Sequence, residues 1–285
     1  MSILPREELR LSITSACNMK CDYCHNEGNL IQATMSSDTI FCIVSDLIPL
    51  GLKKVRITGG EPLVHPDIES ICQTLSEKYG LEIGINTNGI LFSKLITLIN
   101  CGYINRVVVG LDFYDAPISK RSSIGVPSSE ILGNVLKIKA TNTDVCIDVV
   151  YDGNDENIEN LIDWAITHHI RIKIIEEVAL TPPSNNIQYD VMVEKMIEKF
   201  KLCPIVDALG EINGYRGNFR AVSFFHSFCR IRACDKCVQL PIRVNSEGVI
   251  KGCLLHNSFD YPINLDTVSE SFINMLQTPI NCRGG

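Results

Sequence analysis

Three cysteines at positions 17, 21 and 24 form a C-x3-C-x2-C run. A second group places Cys234 and Cys237 as C-x2-C, with Cys253 fifteen intervening residues further on. Thiolates at such spacings are metal ligands. Three of them on one short stretch can hold three corners of a [4Fe–4S] cube. Full ligation takes four cysteines, so the fourth iron stays open to a small molecule. Structural zinc wants four ligands, and His25 abuts Cys24 too closely for the usual ligand spacing. The second group fits either a zinc site completed by Cys229 or a second [4Fe–4S] cluster held by Cys234, Cys237 and Cys253. The chain has 13 cysteines, an odd count that argues against a disulfide framework.

The elements that must position these groups alternate. Apolar, β-branched runs occur at 9–14, 55–58, 82–86, 106–111, 145–150 and 170–176, and predict strands. Helical periodicity fills the gaps at 39–48, 68–79, 93–99, 131–139 and 158–168, with Asp67 as the expected N-cap of the second. Nearly continuous apolar strands in this order imply an α/β fold with a parallel sheet buried on both faces. Six strand–helix units make a partial (β/α)6 barrel of the TIM type. The pattern breaks around residues 181–186, a helix is predicted over 189–200, and the composition changes after Cys203. The expected division is therefore a barrel at 1–200 and a small, loop-rich auxiliary-cluster domain at 201–285.

The first cysteine group follows the first strand in the order Leu9-Arg10-Leu11-Ser12-Ile13-Thr14, then Cys17, Cys21, Asp22, Tyr23 and Cys24. This resembles the signature of the radical S-adenosylmethionine (radical SAM) enzymes, with Tyr23 as the aromatic before the third cysteine. The resemblance implies a [4Fe–4S] cluster whose open iron binds SAM, and a reductive cleavage that yields a 5′-deoxyadenosyl radical. Thr58-Gly59-Gly60-Glu61-Pro62 looks like the family's glycine-rich SAM motif, in which two glycines allow a tight turn and close ligand approach. Glu61 could then accept from the methionine ammonium. Thr87, Asn88 and Gly89 after the third strand, and Asp112 after the fourth, match further cofactor positions. Every one of these motifs lies at the C-terminal end of a predicted strand, where barrel enzymes build their sites.

Together, the second cysteine group, the sixth strand ending Ile175-Glu176 and the terminal Gly284-Gly285 resemble the GTP 3′,8-cyclases of molybdenum cofactor biosynthesis. The resemblance implies hydrogen abstraction from a nucleotide and C–C cyclisation. Arg10, Arg56, Lys173 and Arg243 would be substrate contacts, and Gly284 and Gly285 would reach the site. Guanidinium groups suit a purine nucleoside triphosphate because they make bidentate, charge-assisted bonds to phosphate. The chain departs from the cyclase pattern at Gly110, Cys146, Val178 and Pro241. A peptide-modifying radical SAM enzyme with an auxiliary cluster is the alternative. The remaining cysteines, Cys42, Cys72, Cys101, Cys146, Cys203 and Cys282, are expected to be small core hydrophobes, and His65 a loop histidine.

Charge and composition narrow the partners. With 26 basic against 33 acidic residues, the net charge is −7, which disfavours polymeric nucleic acid. No apolar run approaches the ~18 residues of a membrane helix, and the N-terminal stretch is too polar for a signal peptide. A cytoplasmic enzyme is expected. It would use an electron donor such as flavodoxin or ferredoxin, and a homodimer is left open.

Overall fold

The computed structural model describes residues 4–115, 126–177, 187–206, 212–216, 221–225, 241–253 and 257–277. Six parallel strands follow one another in space as in sequence: β1 (Glu8–Ser12), β2 (Lys54–Thr58), β3 (Glu82–Thr87), β4 (Arg106–Gly110), β5 (Asp144–Val150) and β6 (Arg171–Ile175). Between them run α1 (Ser37–Leu47), α2 (Ile68–Gln73), α3 (Phe92–Asn100), α4 (Ser128–Ala140) and α5 (Asp155–Thr167). After β6 comes α6 (Ile187–Lys199). The expected partial (β/α)6 barrel is present, and each strand and helix falls close to its predicted position. The predicted helix over 68–79 is α2 continued by a wider turn to Lys78. Asp67 occupies the N-cap position of α2 without capping it, because its carboxylate accepts from Ser37 Oγ instead.

The strands are not buried on both faces as expected. Along five of the six, one set of alternate residues is wholly buried and apolar: Leu9 and Leu11, Val55 and Ile57, Ile83 and Ile85, Ile147 and Val149, Ile172 and Ile174; on β4, Val107, Val108 and Val109 are all buried. These pack with helix residues such as Ile40, Val44, Ile71, Leu95, Val135 and Leu161 into one core. The opposite face carries Arg10, Arg56, Gly84, Arg106, Asp148 and Lys173. That alternation has the period of two expected when a strand meets two different environments. The inner face curves round a polar lumen: the charge of Asp148 on β5 reaches both Arg10 on β1 and Arg56 on β2.

The described strands after residue 200 join this sheet. Strand β9 (Ala221–Phe225) pairs in parallel with β6, and β10 (Ile242–Val244) pairs in parallel with β1. Antiparallel strands β8 (Ile212–Arg216) and β7 (Cys203–Val206) extend one edge; β11 (Val249–Lys251) and β12 (Asp260–Pro262) extend the other. The described strands of the later segment thus add to both edges of the barrel sheet. A last helix, α7 (Val268–Gln277), buries Val268 and Phe272 and packs near α1. Among the described residues no helix is long and apolar enough to cross a membrane.

Candidate active site

The cysteine loop leaves the C-terminal end of β1. Cys17 and Cys24 are exposed and Cys21 half-buried, all as free thiols. Backbone amides point at two of the sulfurs: Met19 N–H donates to Cys17 Sγ at 3.3 Å and Asn26 N–H to Cys24 Sγ at 3.4 Å. Desolvation, with Glu61 near Cys17 and Asp112 near Cys21, raises the Cys17 thiol and pushes Cys21 up to about 11. Bound iron would offset this, since a coordinating thiol is deprotonated outright. Three free thiols on one short loop fit three corners of a cube.

Three ties fix this loop to the barrel. Tyr23 donates its hydroxyl to Asp112 Oδ2 at 2.5 Å, and Asp112 Oδ1 accepts from Val150 N–H at 3.0 Å, joining the loop to the ends of β4 and β5. Burial and the Asp112 charge raise the Tyr23 phenol, which keeps it a donor. Asn88 Nδ2 donates to Asn18 Oδ1 at 2.7 Å, joining the loop to the end of β3. The third tie is the Gly59–Gly60 turn after β2. Gly60 N–H donates to Thr14 O at 2.7 Å and Glu61 N–H to Ala16 O at 2.9 Å. A β-carbon on Gly60 would lie 2.3 Å from Ala16 O, and one on Gly59 would lie 2.3 Å from Thr14 O. In the described structure, these glycines are needed for the close approach of two backbone segments.

Glu61 was expected to meet an ammonium; its carboxylate is enclosed and accepts from within. Thr87 Oγ1 donates to Oε1 at 2.9 Å, Leu63 N–H to Oε1 at 3.1 Å and Asn88 N–H to Oε2 at 2.8 Å. All three donors are neutral. Desolvation outweighs them and pushes the carboxyl up to about 7.

A second buried glutamate, absent from the sequence-based set, holds the far end of the loop. Glu27 Oε1 accepts from Arg10 at 2.6 Å and from Thr58 Oγ1 at 3.0 Å. Burial alone would raise this carboxyl, but the Arg10 guanidinium overcomes it and holds it down to about 2. Arg10, expected to contact phosphate, is thus already engaged by one nitrogen. Asn26, Glu27 and Gly28 all take left-handed φ values (47°, 50° and 72°), a conformation that costs non-glycine residues about 1 kcal/mol or more each. The Glu27 anchor keeps the chain in it.

The lumen below gathers charge. Arg243, Arg10 and Arg56 are register partners on β10, β1 and β2, and Gly84 then Arg106 continue the row. Arg56, Arg106, Cys146, Asp148, Arg171, Lys173 and Ser223 line a cavity of about 130 Å³. Carboxylates offset several cations: Glu8 pairs with Arg56 at 2.8 Å, and Asp144 faces both Arg106 and Arg171. Lys173 lies over the Phe225 ring at 4.5 Å, and burial lowers its ammonium. Nearer the cysteine loop, Arg10 Nε, Ser12 Oγ and Asn86 Oδ1 are buried without a hydrogen-bond partner, as expected of a wall that meets a polar ligand.

The structure therefore brings together Cys17, Cys21, Cys24, Tyr23, Gly59, Gly60, Glu61, Thr87, Asn88 and Asp112 at one rim, with Arg10, Arg56, Lys173 and Arg243 beneath. Cys253 is half-buried beyond the end of β11. Cys234, Cys237, Gly284 and Gly285 lie outside the described residues, as do Val178, Cys229 and Cys282. Of the cysteines expected in the core, Cys72 is buried; Cys146 is buried against the lumen, Cys42 is half-buried, and Cys101 and Cys203 are exposed. His65 is buried, its Nδ1 accepting from Asp67 N–H and its Nε2 facing Met35 O at 2.9 Å. Arg106 and Arg171 were missed although the two-residue period of their strands would have placed them in the lumen.

A family model, the radical SAM superfamily, matches residues 11–165. The chain belongs to the radical SAM superfamily. As a radical SAM enzyme it uses a [4Fe–4S] cluster and SAM, and the cysteine loop just described fits that cluster. The GTP 3′,8-cyclase of Limosilactobacillus fermentum is 26% identical over 272 residues, covering 87% of this chain and 79% of that protein. The enzyme of that name from Staphylococcus saprophyticus is 28% identical over 280 residues, covering 88% and 79%. GTP 3′,8-cyclase 1 of Mycobacterium tuberculosis is 32% identical over 181 residues, covering 59% and 50%. Among solved structures, anSMEcpe with bound AdoMet superposes with a TM-score of 0.69 at 14% identity, covering 96% of this chain and 81% of that one. Streptococcus suis SuiB bound to its precursor peptide SuiA gives 0.65 at 18%, covering 87% and 59%. At these identities the two structures bear on the fold alone, and both support the partial barrel.

Proposed function

We propose that this radical SAM enzyme acts on a nucleotide, a purine nucleoside triphosphate, by hydrogen abstraction followed by intramolecular C–C bond formation, as a GTP 3′,8-cyclase does. The observation that carries the proposal is the row of Arg243, Arg10 and Arg56 directly beneath the cysteine loop, in a chain whose net charge is −7. An acidic protein that gathers guanidinium groups on the inner face of its barrel has built a place for an anion. The curated cyclase relatives, matched over most of this chain, support the same substrate class.

Cys17, Cys21 and Cys24 would hold the first cluster, which with SAM supplies the 5′-deoxyadenosyl radical. Cys234, Cys237 and Cys253 would hold a second, facing the substrate. Tyr23, Gly59, Gly60, Glu61, Thr87, Asn88 and Asp112 would form the SAM-facing rim, and Gly284 and Gly285 would close on the substrate. Arg10 would offer phosphate its free Nε–H while Glu27 holds the rest of its guanidinium in place. The electron donor would be a flavodoxin or ferredoxin.

The test is anaerobic. Reconstituted protein should bind about eight irons. It should bind a nucleoside triphosphate in calorimetry, and convert it with SAM and a strong reductant to a cyclised product seen by mass spectrometry. Arg243→Ala should weaken nucleotide binding about ten- to a hundred-fold with SAM binding unchanged. Stoichiometric zinc with little iron, or no binding by any nucleotide, would overturn the proposal.

A further inference from the structure

Lys251 ends β11, two residues before Cys253, and its side chain is wholly enclosed. Its Nζ donates to Asp260 Oδ2 at 2.7 Å and to Asn257 Oδ1 at 3.0 Å; Asp260 is its cross-strand partner on β12. The aliphatic stem lies against the first cysteine loop, since a β-carbon on Gly28 would meet Lys251 Cε at 2.6 Å. Gly28 is four residues past Cys24.

The contact is one of a series. Gly28 O accepts from Asn245 Nδ2 at 3.5 Å, and Asn29 Oδ1 accepts from Ser246 N–H at 3.1 Å and Oγ at 2.8 Å. The N–H groups of Leu30 and Ile31 both donate to Glu247 Oε1, at 2.5 and 3.1 Å. Residues 28–31 are therefore fastened along their length to the turn between β10 and β11.

An enclosed ammonium–carboxylate pair is poor value as a source of stability, because desolvation offsets its attraction; its best-attested use is to fix one arrangement among several. Here the pair braces the one strand that touches the cysteine loop and also leads into Cys253. We infer that Lys251 is a positioning residue: it sets the first cysteine loop against the strand end that carries Cys253, and so fixes the separation of the two clusters. The inference rests on the two-cluster reading above.

The variant that tests it is Lys251→Met with Asp260→Leu, which replaces the pair with apolar side chains and, by precedent, leaves stability near neutral. Denaturant unfolding of the reconstituted protein checks that it does. The readout is the magnetic interaction between the two reduced clusters in pulsed electron paramagnetic resonance. The double variant should hold the wild-type iron content yet show a shifted or broadened dipolar splitting. The ratio of uncoupled SAM cleavage to product should rise on the order of ten-fold, as when a supporting shell around a metal site is disturbed. Eight irons with an unchanged splitting and unchanged coupling would overturn the inference alone. About four irons in the wild-type protein would overturn the two-cluster reading and this inference with it.

Discussion

Two buried glutamates meet opposite ends of the same loop, and their carboxylates are held by opposite means. Glu61 donates its N–H to Ala16 O on the N-terminal side, while its carboxylate accepts from neutral donors, Thr87 Oγ1 and the amides of Leu63 and Asn88. Glu27 grips the C-terminal side through Arg10, with Thr58 in support. Without a cation nearby, burial raises the first carboxyl to about 7; with one, the second falls to about 2. Burial alone therefore does not decide whether a carboxyl is charged. The partner decides, and on this loop the partners are the glycine-turn rim on one side and the cationic lumen on the other.

The comparison breaks most completely at the rim. Gly60→Ala would force a β-carbon to within 2.3 Å of Ala16 O, backbone against backbone, where no side chain can yield. A loss of about 4 kcal/mol or more is expected. The purified protein should also fail to retain the first cluster's iron. Near-normal iron content in that variant would show that the close approach is not what holds the loop.

Next in size is the charged end. Glu27→Gln leaves Arg10 facing a neutral amide at a buried site and should cost about 3 kcal/mol at pH 7, measured by denaturant unfolding. The sign follows from the depressed carboxyl: its contribution is complete above about pH 4.5 and disappears as pH falls towards about 2. A loss under about 0.5 kcal/mol at pH 7 would mean that the Arg10 pair is dispensable.

The neutral end should show the opposite slope. Glu61 is raised, so its protonated form suits the fold, and ionisation lowers stability as pH climbs from about 4.5 through about 7. This amounts to roughly 3 kcal/mol. Glu61→Gln should lack that decline up to pH 8 and carry a pH-independent loss of about 1–3 kcal/mol, because its amide can accept with one oxygen only. Parallel stability curves for the two proteins would count against the assignment.

The smallest effect is expected at Tyr23. Tyr23→Phe removes one hydrogen bond to Asp112, whose other oxygen keeps Val150 N–H. About 1 kcal/mol should be lost, with the cluster retained and its spectrum with SAM slightly altered. Complete loss of cluster would make the Tyr23 tie as important as the glycine turn.

The cysteine spacing, the glycine motif and the order of strands and helices were legible because each is local. Cys17, Cys21 and Cys24 announce a cluster in eight residues, and β-branched runs and helical periods need only a short window. Glu27 was not legible, since nothing around it in sequence says that Arg10, seventeen residues earlier, will reach back to it. Nor was the lumen. Apolar content made the strands look buried on both faces, although the alternate positions of Arg56, Arg106, Asp148 and Lys173 already carried the period of a two-environment strand.

The residues after 200 show the same limit at larger scale. A change in composition marks the start of this segment, but it does not say that β9 and β10 pair with β6 and β1. Strand partners far apart in the chain are chosen by which edge is open once the barrel has formed, and composition carries no record of that. The sequence by itself determined the superfamily, the grouping of three cysteines on the first loop and the succession of six strand–helix units, because these depend on residue type and near spacing. Only the tertiary structure decided what the glycines and glutamates of the rim touch, which carboxyl is charged, and how Lys251 comes to lie against Gly28. Those outcomes depend on distances between groups that the chain brings together from its opposite ends.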